Sequence, residues 1–500
     1  MSVSTTHKAY DENRYKWKRC RDVIAGRDAI IKNLRASTRY TGSLYNPVFT
    51  GNDYLPRLSS QSDAEYMAYQ ERAGFFNATG RTLDAFTGMI FAKDPVIELP
   101  TAMEPYEDDI SLAGDNLREF AEQVVDEQLA VGRVGIMADF PQVEPTGLTV
   151  AMAEAMNVRP FLRWYSAESI INWRVSTING AEVLTLVVLR ETVERRENEF
   201  QTTDVVQFRV LDLTDEGYRQ RVMTENDELI SEVFPLQQGT RMNFIPFLIL
   251  GANSAGAEVQ KPPMLDLVDT NLAHYRNSAD YEHGLHFTGL PTPYVAGVQL
   301  SEGQVLSVGS MTAWVFPDPS AKAEYLEFKG DGLKTLREAM KDKEQRMAVL
   351  GARMLADDKK TNEAFGTLEL RTAGERSVLA SISRSASDSL TRALNWMAEW
   401  IGAPTDASIT FNTDFGAARM QPQMVTALLQ AYQNDAMPLS VVFENFQRGE
   451  LVNPEMEFEE YEAQLADEGP SFADDVSEVQ SNAAEEQQGF LTNVRQRLGL

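Results

Sequence analysis

One cysteine, Cys20, stands in 500 residues. An intrachain disulfide is therefore impossible, and the scarcity fits folding in a reducing compartment. Long apolar runs are missing too: none reaches the ~18–20 residues that a membrane-spanning helix needs, so no membrane contact is expected. The opening Met1-Ser2-Val3-Ser4-Thr5-Thr6-His7 lacks the basic-then-apolar order of a signal peptide. Positive charge is in short supply, with 46 Lys and Arg against 74 Asp and Glu and a net charge of −28. A protein that grips phosphates is basic overall or carries a basic stripe. This chain should repel DNA over most of its surface and, if it meets nucleic acid, guide it without clamping it. The same charge keeps a large protein in solution.

Catalytic patterns are equally sparse. A phosphate-cradling loop needs Gly-x-x-x-x-Gly-Lys followed by Ser or Thr. Gly330-Asp331-Gly332-Leu333-Lys334-Thr335 has the wrong spacing and reads as a loop before a helix. No Gly-x-Ser-x-Gly elbow marks a hydrolase nucleophile. The four histidines are His7, His274, His283 and His286. His283 and His286, three apart near a helix end, could face one metal with Asp280 and Glu282 close by. That spacing matches no metal pattern, and a structural role is the simpler reading. Cys20 has Lys18, Arg19 and Arg21 beside it, which would lower a thiol pKa. With no partner histidine it too reads as structural. Pairs such as Asp108-Asp109 are too common in an acidic chain to imply acid–base work. No catalytic residue, cofactor or metal is expected.

What is present is length and helical periodicity. Apolar residues make up 43% and charged residues 24%, ordinary for a globular chain long enough for roughly two to four domains. The strongest signal lies in residues 331–402. A helix over residues 331–355 carries Leu333, Leu336, Met340, Met347, Leu350 and Met354 at spacings of 3, 4, 7, 3 and 4, an apolar stripe on one face. Lys343 interrupts it. Asp357, Asp358, Lys359, Lys360, Thr361 and Asn362 then form a polar break. A second helix over residues 372–401 places Leu379, Ile382, Ala386, Leu390, Leu394, Met397 and Ile401 on one side, until Gly402 and Pro404 stop it.

Earlier in the chain, a helix over residues 14–34 begins with Arg14, Lys16, Lys18, Arg19 and Arg21, interleaved with Tyr15 and Trp17. The patch suits a nucleic-acid or acidic contact, or simply a solvated helix face. The Ser62-to-Glu65 capping-box spacing opens a helix over residues 64–91, and another helix covers 116–130 before a short strand near 132–141. Between residues 160 and 250 the period shifts toward two, with strands at 183–190, 205–213, 218–224 and 244–250. Pro262-Pro263 precedes a helix over residues 264–286. Short strands follow at 292–298, 305–308, 311–316 and 323–328. Helices return at 423–433 and 439–447, and residues 468–489 are acidic and polar enough to read as disordered or loosely helical. The fold class is α+β, mainly helical.

Several strings resemble portal proteins of tailed bacteriophages, of the siphovirus and podovirus type. They are Tyr66-x-x-Tyr69-x-x-Arg72-Ala73, Met89-Ile90-Phe91-x-Lys93-Asp94-Pro95 and Ile170-Ile171-Asn172-Trp173-Arg174. Further along come Pro262-Pro263-Met264-Leu265-Asp266-Leu267 with Asn271, His274 and Tyr275, then Gly351-Ala352-Arg353-Met354-Leu355, Asn412-x-Asp414-Phe415 and Gln447-Arg448-Gly449. Their order over about residues 60–465 carries the likeness.

The resemblance implies a ring, usually of twelve subunits, at one capsid vertex. It implies a wing (residues 1–262), a first stem helix (263–286), a clip (287–330), a second stem helix (331–355) and a tunnel loop (356–366). A long wing helix (367–410), a crown (411–465) and an acidic tail (466–500) complete the expected order. Implied partners are double-stranded DNA passing without sequence preference, the terminase large subunit, a head–tail adaptor, and the major capsid and scaffolding proteins. The implied location is the virion, with assembly in the host cytoplasm. Lys359 and Lys360 at the loop tip are then expected to touch phosphates. The stripe Leu333, Leu336, Met340, Lys343, Met347, Leu350 and Met354 is expected to pack between subunits. The alternatives are another phage head or connector protein, or an acidic soluble enzyme.

Overall fold

A computed structural model describes residues 2–35, 54–57, 61–141, 156–289, 292–297, 319–326, 331–353, 378–415, 422–434, 436–448, 451–453 and 456–467. The chain forms two compact units, Met1–Phe415 and Gly416–Leu500.

The first unit begins with α1, Lys8–Ala25, capped by His7, whose Nδ1 accepts from the Ala9 amide at 3.1 Å. The single helix expected over residues 14–34 is instead two. Gly26 at φ 90° turns the chain out of helix, and α2, Arg27–Arg35, follows. The expected helix over 64–91 also splits, into α3, Asp63–Arg72, and α4, Ala78–Ile90. The Ser62–Glu65 capping box is present, and Asn77 starts α4 by accepting from the Gly80 amide at 2.9 Å. No proline marks that break; side chains from elsewhere in the fold hold it.

Helix α5, Leu117–Val131, is opened by an Asn116–Glu119 capping box and closed by Gly132 at φ 68°. It feeds β2, Arg133–Asp139, in which every residue is buried. β2 is the centre of a three-stranded antiparallel sheet between β11, Phe247–Gly251, and β3, Phe161–Ser166. Neither β3 nor the strand after it is among the expected strands: in β3 buried Phe161 and Leu162 precede exposed Arg163 and half-buried Trp164, so no clean period of two shows.

A five-stranded antiparallel meander runs in the order β4, Ile170–Ile178; β5, Ala181–Arg196; β6, Thr202–Thr214; β7, Gly217–Thr224; β8, Leu229–Val233. β5 and β6 are longer than their apolar cores suggest, because their ends lie outside the core as a two-stranded ribbon.

Helix α8, Val378–Ile401, is the central beam of this unit. The expected stripe of Leu379, Ile382, Ala386, Leu390, Leu394 and Met397 is buried, and so are Ser383, Ser387, Trp396 and Trp400 on other sides. Its hydroxyls satisfy the returning chain: Ser383 Oγ donates to the Asn412 carbonyl at 2.7 Å, and Ser387 Oγ accepts from the Phe411 amide at 3.0 Å. That segment includes β14, Ser408–Thr410, paired with β1, Val96–Glu98.

The second unit holds α9, Pro422–Gln433; α10, Leu439–Arg448; and α11, Phe458–Asp467. Phe443 packs on Phe458 and Tyr461 at ring-centre distances of 5.5 and 4.8 Å. α11 lies beyond the two helix ranges that the sequence singled out and runs into the start of the expected acidic tail. The expected acidic tail lies outside the described residues beyond Asp467. Among the described residues no helix is long and apolar enough to cross a membrane.

Candidate functional site

The residue order singled out by the sequence builds a helical hairpin. Helix α6, Leu265–Gly289, follows Pro262-Pro263 and buries Leu265, Leu267, Val268, Asn271, Leu272, His274, Tyr275, Ser278 and Ala279. From Asp280 to Gly289 no residue is buried. At 1.5 Å per residue the helix is about 37 Å long, and its last ten residues run outside the core. Helix α7, Asp331–Arg353, lies beside it. A methyl added at Gly284 would press on Leu333, and His274 Nε2 meets Glu344 Oε1 at 3.2 Å. Ten residues back along α6 matches eleven forward along α7, so the helices are antiparallel.

Between them in sequence lies an antiparallel pair, β12, Thr292–Ala296, and β13, Lys322–Leu326. Tyr294 Oη donates to Glu324 Oε2 at 2.7 Å across it. The strands expected at 305–308 and 311–316 lie outside the described residues.

The stripe on α7 has two halves. Met347 is buried and Leu350 packs against the main core, so this end is satisfied within the chain. Leu333, Leu336, Met340 and Lys343 are only half-buried. Lys343 Nζ reaches its own helix at the Ala339 carbonyl, 3.4 Å away, and makes no salt bridge among the described residues. Met354 and Asp357, Asp358, Lys359, Lys360, Thr361 and Asn362 lie outside the described residues. The exposed side of α7 is balanced, not acidic: Lys334, Arg337, Lys341 and Arg346 alternate with Glu338, Asp342 and Glu344. Net charge is an average over the chain and does not dictate the charge of one helix face.

The root of the hairpin is bolted to α3 and α4. Asn271, fully buried, accepts from the Thr79 amide at 3.1 Å and hydroxyl at 3.0 Å, and donates to the Phe76 carbonyl at 2.8 Å. These bonds satisfy backbone groups at the α3–α4 break. Tyr69 Oη donates to Asp280 Oδ1 at 2.5 Å, which pushes the phenol pKa up through burial first and then that bond. Arg72 stands on both histidines, 3.4 Å from His283 Nδ1 and 3.2 Å from His286 Nε2. The two imidazoles thus face an arginine. Burial, then Arg72 and His286, holds His283 below its usual pKa.

The basic patch near the N-terminus is spent inside the chain. Lys18 pairs with Asp22 at 2.6 Å and Arg19 with Asp269 at 3.2 Å. Arg21 forks onto Glu127 at 2.5 and 2.9 Å and onto Glu168 at 2.6 and 2.7 Å. Burial opposes the Arg21 charge, but the two carboxylates overcome it and hold the guanidinium protonated. These arginines are therefore not available as a nucleic-acid contact. Cys20 is buried, and desolvation pushes its thiol up to about 12 despite Arg19 and Arg21. His7 stacks on Trp173 at 4.1 Å. Asp109 of the carboxylate pair binds Arg159 at 3.1 Å.

Glu191 is a hub that sequence reasoning missed. It accepts from Tyr165 Oη at 2.8 Å, Gln207 Nε2 at 2.8 Å and Arg209 Nε at 2.7 Å. Nothing in the sequence distinguishes it from other acidic strand residues, since its partners come from two other strands, β3 and β6.

Residues 263–401, less than a third of the chain, match a family described as "Domain of unknown function (DUF4055)". The match spans the hairpin and the beam. No curated protein matches the chain. Among solved structures, the chain is similar to one in the neck of an empty GTA particle computed with C6 symmetry. That pair is 13% identical over 76% of this chain and 91% of the other, with a TM-score of 0.35. A chain in the virion of the native gene transfer agent particle matches at the same identity, coverage and TM-score. A third, from the neck of the native GTA particle computed with C12 symmetry, is 13% identical over 73% of this chain and 87% of that one, with a TM-score of 0.33.

Proposed function

We propose that this chain is a structural protein of a tailed-phage head or neck, and specifically the portal subunit. The observation that carries this reading is the α6–α7 hairpin. Its two antiparallel helices bracket a small β pair, and α6 leaves the core for its last ten residues. A helix end with no fully buried residue, beside a stripe left half-buried at Leu333, Leu336 and Met340, suits side-by-side packing of identical subunits. The portal-like order of sequence strings supports the same assignment.

In this reading the subunits form a ring of about twelve around a channel for double-stranded DNA. The hairpin is the stem, and the module containing β12 and β13 faces the packaging motor and later the tail adaptor. A conduit must let DNA slide, so weak, unspecific contact suits it better than a basic clamp. The protein works as a conduit and platform, without catalysis of its own.

Native mass measurement and negative-stain imaging of the purified chain test the proposal. A closed ring near twelve copies with a central hole is expected. A chain that stays monomeric at every concentration refutes it.

A further inference from the structure

The β5–β6 ribbon is an exposed finger. From Thr192 to Val205 every residue is exposed, so both faces of the ribbon meet solvent. A half-buried sheet alternates apolar and polar faces, and this stretch has no covered face. At its tip Phe200 is 92% exposed.

The tip is built, not loose. The Glu197 amide donates to the Gln201 carbonyl at 2.9 Å, and Asn198 Oδ1 accepts from the Phe200 amide at 3.0 Å. Arg196 Nε donates to the Asn198 carbonyl at 3.1 Å, and Thr203 Oγ1 to Glu197 Oε1 at 2.5 Å. Its root is locked by the Glu191 hub. A pre-organised, fully presented aromatic ring is the usual anchor of a protein interface.

The same unit carries a seat for such a ring. A groove of about 540 Å³ lies between the start of β5, strand β11 and helix α8. Val183, Leu184, Phe244, Phe247 and Trp396 line it, with Glu182 and Arg392 at its rim. Glu182 and Arg392 make no ion pair among the described residues, and neither do Glu194, Arg195 and Glu199 around the tip. Finger and groove thus offer an aromatic knob to a largely apolar hole, each with charges of both signs outside any described salt bridge; in the groove Arg392 lies over the Trp396 ring at 5.2 Å.

The finger cannot fill its own groove. Leu184 and Arg196 sit on one strand, and at ~3.3 Å per residue the strand carries the tip about 40 Å away. The tip can therefore reach such a groove only on another copy. We infer that Phe200 of one subunit seats in the Leu184–Trp396 groove of the next copy of this chain. Such a contact joins two different patches, so it repeats head to tail and closes into a ring when the rotation permits. The inference rests on the ring proposed above and assigns its wing-to-wing contact. A buried Phe supplies roughly 200 Å² of a joint that needs about 800 Å² per partner, so the ribbon flanks and the stem must supply the rest.

The test uses the full chain with Phe200→Cys and Leu184→Cys together. Cys20 is buried and will not interfere. Mild oxidation is expected to give a reducible ladder beyond dimers on a denaturing gel, with no ladder from either single variant. Phe200→Ser, at a position too exposed to affect folding, should raise the concentration at which rings dissociate at least tenfold. Wild-type rings with no ladder and an unchanged Phe200→Ser assembly overturn the inference and leave the ring standing. A monomeric wild type overturns both.

Discussion

Asn271→Ala isolates what holds the helical hairpin to the body of the protein. The Asn271 side chain is fully buried and makes three hydrogen bonds, to the Thr79 amide, the Thr79 hydroxyl and the Phe76 carbonyl. Alanine removes all three bonds at once and strands the Thr79 amide and hydroxyl, while the Phe76 carbonyl keeps the Ala78 amide at 2.9 Å. An unsatisfied buried polar group costs about 1–3 kcal/mol. The Thr79 hydroxyl can rotate toward another acceptor, which removes most of one term. The Thr79 amide lies in the first turn of α4, where no helical carbonyl replaces the lost acceptor. The expected loss is about 2–4 kcal/mol, confined to the junction of α3, α4 and α6. Thr79→Val removes only the hydroxyl bond and should cost about 1 kcal/mol. Urea unfolding gives the total, and amide exchange at Thr79 reports the local opening. A loss below about 1 kcal/mol for Asn271→Ala, with Thr79 protection unchanged, would show that water or relaxation replaces these bonds and that the anchor lies elsewhere.

Three further outcomes follow from other sites. Arg209→Met strands Glu191, whose side chain is 9% exposed, with only Arg163 at 3.8 Å as a cation. It should cost about 3–5 kcal/mol, and adding Glu191→Gln should recover much of it in denaturant melts; no recovery would exclude a stranded Glu191 and point to Asp139, which also faces Arg209 at 4.0 Å. Burial, Arg72 and His286 lower the His283 pKa, with Asp280 and Glu65 opposing. Its folded pKa lies below the unfolded one, so the unfolded chain binds the proton first and stability falls as pH drops below about 6.5. Amide exchange between α3 and α6 should therefore quicken from pH 7 to pH 5, less so in His283→Gln; equal quickening in both assigns the effect to another group. Replacing Lys359 and Lys360 by Ala should reduce the DNA packaged or retained in heads, and unchanged filling counts against their phosphate contact.

Periodicity by itself determined the long elements. The stripes in α7 and α8 and the run after Pro262-Pro263 are helical because apolar residues recur on one face over many turns. Capping boxes at Ser62 and Asn116 are equally local, each complete within four residues. Tertiary structure decided where a helix breaks without proline, as at residues 73–77, because Asn271 from a distant helix completes the hydrogen bonding there. It also decided which charges are free. Arg19 and Arg21 look like a binding patch until Asp269, Glu127 and Glu168 fold against them. The finger was invisible for the same reason: β5 reads as an ordinary strand, and only the sheet shows that its second half has nothing to lie on. Local pattern sets which backbone hydrogen bonds form within a segment. Partners far apart in sequence set what each face, charge and aromatic ring is left to do.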